Sequence, residues 1–94
     1  MVRLPMFHVV IECDGLPVNE GPQAALDIAE GFSQRPWHQN VRCVWHGKTL
    51  RLEADVDFDA NGLALRDEFS DEIVANVKNA EYSDLRVVSV TEVA

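Results

Sequence analysis

The clearest periodic stretch of the chain is an alternation of apolar and charged residues that follows Thr49. The apolar residues are Leu50, Leu52, Ala54, Val56 and Phe58, and the charged residues between them are Arg51, Glu53, Asp55 and Asp57. A period of two residues places the apolar side chains on one face of a strand and the charged ones on the other. This stretch therefore predicts a half-buried strand.

After a turn-like segment at residues 59–62, the hydrophobic residues recur at every fourth position. They are Leu65, Phe69, Ile73 and Val77, with Ala64 and Val74 widening the stripe. Such a stripe is typical of an amphipathic helix that lies on a core. We expect this helix and the preceding strand to pack on each other.

An earlier helix is expected to start near Asn19 or Gly21, because Pro22 suits the first turn of a helix. It should end by about Gln34, since Pro36 disfavours helical geometry in the residue before it. Its predicted core stripe consists of Ala25, Leu26, Ala29 and Phe32.

Strands are predicted on both sides of this helix. Phe7 to Cys13 alternates, with Phe7, Val9, Ile11 and Cys13 on one face and His8, Val10 and Glu12 on the other. Val41 to His46 continues through Gly47-Lys48, a two-residue hairpin turn, into the alternating strand. We favour the register that avoids placing Arg42 opposite Arg51. It pairs Trp45 with Leu50, Cys43 with Leu52, Val41 with Ala54 and Arg42 with Glu53.

A last strand, Leu85 to Val93, completes the order β-α-β-β-α-β in one domain spanning residues 1–94. This order resembles the ferredoxin-like sandwich, an α+β fold. The resemblance implies a four-stranded antiparallel sheet in the order 4-1-3-2 with both helices on one face. It does not imply a function, because many unrelated activities share this fold.

The composition limits the classes of partner. A net charge of -8 argues against nucleic acid and anionic membranes, whose binding depends on Lys and Arg, and favours a basic protein partner or a cation. Nothing near Met1 is typical of a signal peptide and no stretch approaches the length of a membrane span, so we expect a cytoplasmic protein. Cys13 and Cys43 should lie about 9 to 10 Å apart, too far for a disulfide bond.

One segment has the spacing of a metal site. This segment resembles the calcium loop of EF-hand proteins in the spacing of Asp57, Asp59, Asn61 and Glu68, the last separated from Gly62 by five residues. The resemblance covers twelve residues and implies that these four side chains would bind calcium; no other cofactor is indicated. It is incomplete, because the entering helix is replaced by a strand. In the alternative interpretation, Asp59 or Asn61 caps the following helix and Asp57 ends the strand. Glu68 would then lie about 9 Å along the helix, too far to share a cation.

The sheet face away from the helices carries charged residues on neighbouring strands. The predicted pairing brings His8 near Asp55 and Glu12 near Arg51, and a His-Asp pair could serve in acid-base catalysis. No nucleophile is identifiable beside this pair, and ordinary cross-strand charge pairing explains it equally well. The acidic run from Asp67 to Glu72 is either a docking patch for a basic partner or a solvated helix face. His38 has no identifiable role.

These patterns predict a small acidic interaction or regulatory module, with no catalytic activity identifiable, that forms a homodimer. The expected interface is the open sheet face. Alternation of the last strand places Leu85 and Val87 on one face and Val88 and Val90 on the other, so one pair would face away from the helices and join Val10 and Val44 in an apolar patch. The alternatives are a small enzyme or ligand-binding domain that uses His8 and Asp55, and a calcium-responsive domain.

Overall fold

The computed structural model describes residues 5–57, 59–78, 80 and 84–93. Four strands and two helices follow one another as β1 (Met6–Asp14), α1 (Gly21–Ser33), β2 (His38–His46), β3 (Thr49–Asp57), α2 (Leu63–Asn76) and β4 (Asp84–Val93). The predicted order of elements is therefore confirmed. Phe58, the last apolar position of the predicted alternation, lies outside the described residues.

The strands form one antiparallel sheet in the order β2-β3-β1-β4, as predicted. The hairpin between β2 and β3 has the expected register, with Trp45 opposite Leu50, Cys43 opposite Leu52 and Arg42 opposite Glu53. Gly47 begins the two-residue turn with a φ of +67°, a left-handed conformation that costs glycine little.

Both edge strands depart from regular pairing. In β2 the register shifts between Gln39 and Arg42, where Asn40 has a φ of 53°, so the predicted pair of Val41 with Ala54 is not formed. In the pairing of β1 with β4, Val10 lies opposite Ser89 and Ile11 opposite Val87, which leaves Val88 as an extra residue. Such bulges bend a strand and protect exposed sheet edges from pairing with another chain.

The bulge in β4 overturns the predicted faces of this strand. Leu85 and Val87 share their core-facing side with Val90, and all three pack against the hydrophobic core. One extra residue reverses the alternation, so a strand that seemed apolar on both faces becomes largely one-sided. The prediction that Val90 shares the opposite face with Val88 is therefore wrong.

One buried cluster joins the sheet and both helices. Its strand members are Val9, Ile11, Cys13, Leu50, Leu52, Ala54 and Val56, and its helix members are Ala24, Ala25, Ile28, Phe32, Leu65, Phe69 and Ile73. Leu26, predicted as part of the α1 core stripe, is exposed, and Ala29 of the same stripe is half-buried. Ala64 and Val74, predicted to widen the α2 stripe, are also exposed. In α1 the buried face is rotated toward Ile28, which is fully buried, while Leu26 is 66% exposed. Within the described residues, neither helix is long and apolar enough to cross a membrane.

Candidate functional site

The start of α2 is capped by the residues predicted to bind calcium. Asp59 is 6% exposed, and its two carboxylate oxygens accept hydrogen bonds from the backbone N–H groups of Ala64 and Leu65, at 3.2 and 3.0 Å. The side-chain oxygen of Asn61 accepts the N–H of Leu63 at 3.0 Å. These contacts satisfy the first three N–H groups of the helix, which have no partner within it. The N-cap residue of α2 is Gly62, whereas the alternative interpretation placed Asp59 or Asn61 there. Asp59 and Asn61 instead cap the helix from the preceding turn, through their side-chain oxygens.

The other two predicted calcium ligands have different surroundings. Asp57 ends β3, is exposed, and makes no side-chain hydrogen bond or ion pair with another described residue. Glu68 lies in the second turn of α2, where one carboxylate oxygen is 3.0 Å from Nε2 of His38 and 3.5 Å from Nε of Arg35. In the described part of the chain, no three His, Cys, Asp or Glu side chains are grouped so that they could hold a metal ion.

Three of the four predicted ligands nevertheless line one cavity of about 120 Å³, which we call the Trp37 cavity. Its lining residues are Trp37, His38, Val56, Asp57, Asp59, Ala64, Leu65 and Glu68. Asn61 is not among them. The cavity therefore combines an aromatic residue that is 58% exposed, carboxylates and aliphatic side chains.

His38, to which the sequence assigned no role, places a buried imidazole ring in this cavity. Its side chain is 4% exposed, and its ring lies 5.6 Å from that of Phe32 and 5.7 Å from that of Trp37, measured between centroids. The pairing of His38 with Val56 places it on the core side of β2. Continuing the pairing of β2 with β3 beyond Val41 could have placed His38 in the sheet. The bulge at residues 40 and 41 shifts this pairing by one residue, so the sequence pattern alone does not reveal it.

Arg35 neutralises part of the acidic run of α2. Its guanidinium lies 3.3 Å from Glu72 and 4.6 Å from the centroid of the Phe32 ring, a cation–π geometry. Asp67 pairs with the adjacent Arg66 at 3.5 Å, and Asp71 is exposed. The run is therefore partly paired within the chain and partly open to solvent.

On the opposite face of the sheet, His8 lies between two carboxylates, as the predicted approach to Asp55 required. Its Nδ1 is 2.8 Å from Asp55 and its Nε2 is 3.1 Å from Glu53. The hydrogen bond with Asp55, aided by Glu53, raises the pKa of His8 against the opposing effect of burial. Burial would raise the pKa of Asp55, but hydrogen bonds from Asn40 and His8 outweigh it and lower that pKa. Both imidazole nitrogens donate when His8 is protonated, so neither is then available as a base.

Glu12, Arg51 and Arg86 also form ion pairs on this face. Glu12 lies 3.8 Å from Arg51, as predicted, and 2.8 Å from Arg86, which also binds Asp14. Val10, on the same face, is buried. Because Val90 also packs against the core, the expected apolar patch is reduced to the half-buried Val44 and to Val88, which is 47% exposed.

The two cysteines are not joined by a disulfide bond, as predicted. Burial raises the pKa of the Cys43 thiol to about 12, so this thiol is protonated and unreactive at neutral pH.

In comparisons with protein-family models, with curated proteins and with solved structures, nothing matches this chain.

Proposed function

We propose that this chain is a small acidic interaction module without catalytic activity, and that its partner is a basic protein. The observation that carries the proposal is the charge of the two helices. Their acidic residues are Asp27, Glu30, Asp67, Glu68, Asp71 and Glu72, and Arg66 is their one basic residue. Asp27, Glu30 and Glu72 line a single groove between α1 and α2. Charge complementarity of this kind steers a basic partner and raises its association rate.

We further infer that the strands and helices form a ferredoxin-like two-layer sandwich with both helices on one face. The inference is supported by the β-α-β-β-α-β order, by the strand order and by the buried cluster that joins both helices to alternate residues of β1 and β3. In this arrangement the acidic helices and the charged sheet face would be two separate surfaces. Arg51 and Arg86 offset acids on the sheet, and Arg35 offsets Glu68 and Glu72 on α2. Asp27, Glu30 and Asp71 form no ion pair with another described residue, so the helices keep carboxylates available to a basic partner.

The alternatives to a basic partner have less support. Self-association through the open sheet face would desolvate charged groups that are already paired within the chain, which costs free energy. Of the apolar residues expected there, Val10 is buried and Val90 packs against the core, which leaves the half-buried Val44 and the exposed Val88. Catalysis by His8 and Asp55 would need an imidazole nitrogen released from its carboxylate partner. Light scattering at high micromolar concentration tests self-association by measuring the molecular mass. The mass of a dimer would support self-association, and the mass of a monomer would contradict it.

A peptide titration tests the proposed function. We expect an arginine- and lysine-rich peptide to bind the full chain, with an affinity that falls as salt is added, and a neutral peptide of the same length not to bind. The double variant Asp27→Asn, Glu30→Gln should weaken binding about fivefold, the effect of removing two surface charge contacts. The matched control is Asp84→Asn, Glu92→Gln, which removes the same charge from β4. Equal losses in both variants, or no binding at low salt, would contradict an interaction at the helices.

A further inference from the structure

Resting on this proposed function, we propose that the Trp37 cavity is the anchoring site of the basic partner and binds one arginine side chain. The acidic helix surface attracts a basic segment, whereas the cavity selects a single residue of it. Three properties of the cavity lead to this assignment: an available carboxylate, an exposed aromatic ring beside aliphatic walls, and a size that suits one side chain.

The available carboxylate is that of Asp57. Both oxygens of Asp59 already accept backbone N–H groups, and Glu68 is held by His38 and Arg35. Asp57 has no such partner among the described residues. A cation that enters the cavity can therefore pair with Asp57 without breaking an existing contact, which makes its binding more favourable than competition for an occupied carboxylate.

The other walls suit the remainder of an arginine side chain. Trp37 is 58% exposed and lines the cavity, so its ring face is accessible to a guanidinium group, which stacks on indole rings. Val56, Ala64 and Leu65 supply apolar surface for the three methylene groups of the stem. A volume of about 120 Å³ is close to that of cavities of about 150 Å³ that bind benzene, enough for the end of one long side chain.

The chain contains an example of the same recognition next to the cavity. Arg35 places its guanidinium 4.6 Å from the Phe32 centroid while pairing with Glu72. Trp37 and Asp57 both line the cavity, so a ring and a carboxylate belong to the same site. Arginine is favoured over lysine because its planar group can stack on the ring and pair with a carboxylate at once, whereas an ammonium is more strongly hydrated.

The test uses the full isotope-labelled chain and N-acetyl-arginine amide as the probe. We expect saturable shifts of the Trp37 indole N–H and of the Asp57 amide, weaker shifts with N-acetyl-lysine amide, and none with the citrulline analogue, which has the same shape but no charge. Trp37→Leu and Asp57→Asn should each weaken arginine binding about fivefold or more. Asp84→Asn, at an exposed strand end, should leave it unchanged, and the amide spectrum of each variant checks its fold.

The outcomes separate the cavity from the proposed function. If a basic peptide binds the Trp37→Leu variant as tightly as the unmodified chain, the cavity is not the anchor, although the chain still binds basic partners. If the lysine probe binds as well as the arginine probe, the assignment to arginine is wrong. If the arginine probe shifts Trp37 but no basic peptide binds, the cavity assignment is supported and the basic protein partner is contradicted. If the arginine probe produces no shift, the cavity assignment is overturned.

Discussion

His8 and Asp55 face each other across β1 and β3, with 2.8 Å between Nδ1 of the imidazole and Oδ1 of the carboxylate. Asn40 donates a second hydrogen bond to Asp55 at 2.7 Å from the bulged part of β2. The carboxylate therefore links three strands of the sheet, and the charge of His8 should contribute to stability.

We predict a pH-dependent stability from this pair. The folded pKa of His8 is raised above its ordinary value of 6.5, so the protonated ring binds its partners best in the folded state. Its contribution is fully present below pH 6.5 and is lost as the pH rises through the raised folded pKa. Because the side chain is about one-third exposed, we expect a free-energy change of only about 0.5 kcal/mol.

Urea unfolding between pH 5 and pH 9 measures this contribution. His8→Gln should remove the pH-dependent part, whereas the control His46→Gln, at the exposed end of β2, should retain it. A pH dependence that is unchanged in His8→Gln would assign it to another group.

Asp59→Ala should destabilise the chain by about 1 to 2 kcal/mol, because two backbone N–H groups at the start of α2 lose their acceptor. Asn61→Ala removes one such bond and should cost less. Chemical denaturation measures both, with Asp71→Ala on the exposed side of α2 as the control. If Asp59→Ala is no less stable than this control, the capping role of Asp59 is contradicted.

Calcium should not compete with these capping bonds. Binding through Asp57, Asp59, Asn61 and Glu68 would require Asp59 to release two N–H groups and Glu68 to leave His38 and Arg35. We therefore expect no saturable amide shifts when calcium is added to the chelator-treated chain. Saturable shifts confined to residues 57–68 at micromolar calcium would instead identify a calcium-responsive domain.

Gly21 should tolerate no side chain while Trp45 keeps its position. A Cβ atom added at Gly21 would overlap atoms of the Trp45 ring, so the ring or the helix must move. We expect Gly21→Ala to destabilise the chain by about 1 to 3 kcal/mol through overpacking, with the exposed Gln23→Ala as the control. In a Trp45→Leu background, the cost of Gly21→Ala should become smaller. An equal cost in both backgrounds would mean that the clash is not its cause.

The sequence by itself determined the main pairings of the sheet. A strict period of two residues in β3 decides which side chains face the core, because a shift by one residue would expose the whole apolar set. The like charges of Arg42 and Arg51 select the hairpin register. The resulting antiparallel order then brings His8 opposite Asp55, and the polar residues before α2 signal a helix cap.

Only the tertiary structure decided where the pattern is interrupted and what forms there. The bulge in β4 turns Val90 toward the core, and the one in β2 moves His38 to the core side, beside Glu68. A bulge shifts the pairing of two strands by one residue, so the side chains beyond it change faces. Its position depends on how the side chains before and after it pack into the core. The rotation of α1, which buries Ile28 and exposes Leu26, likewise depends on the sheet beneath the helix. The Trp37 cavity arises from these long-range contacts, since its residues come from three separate segments.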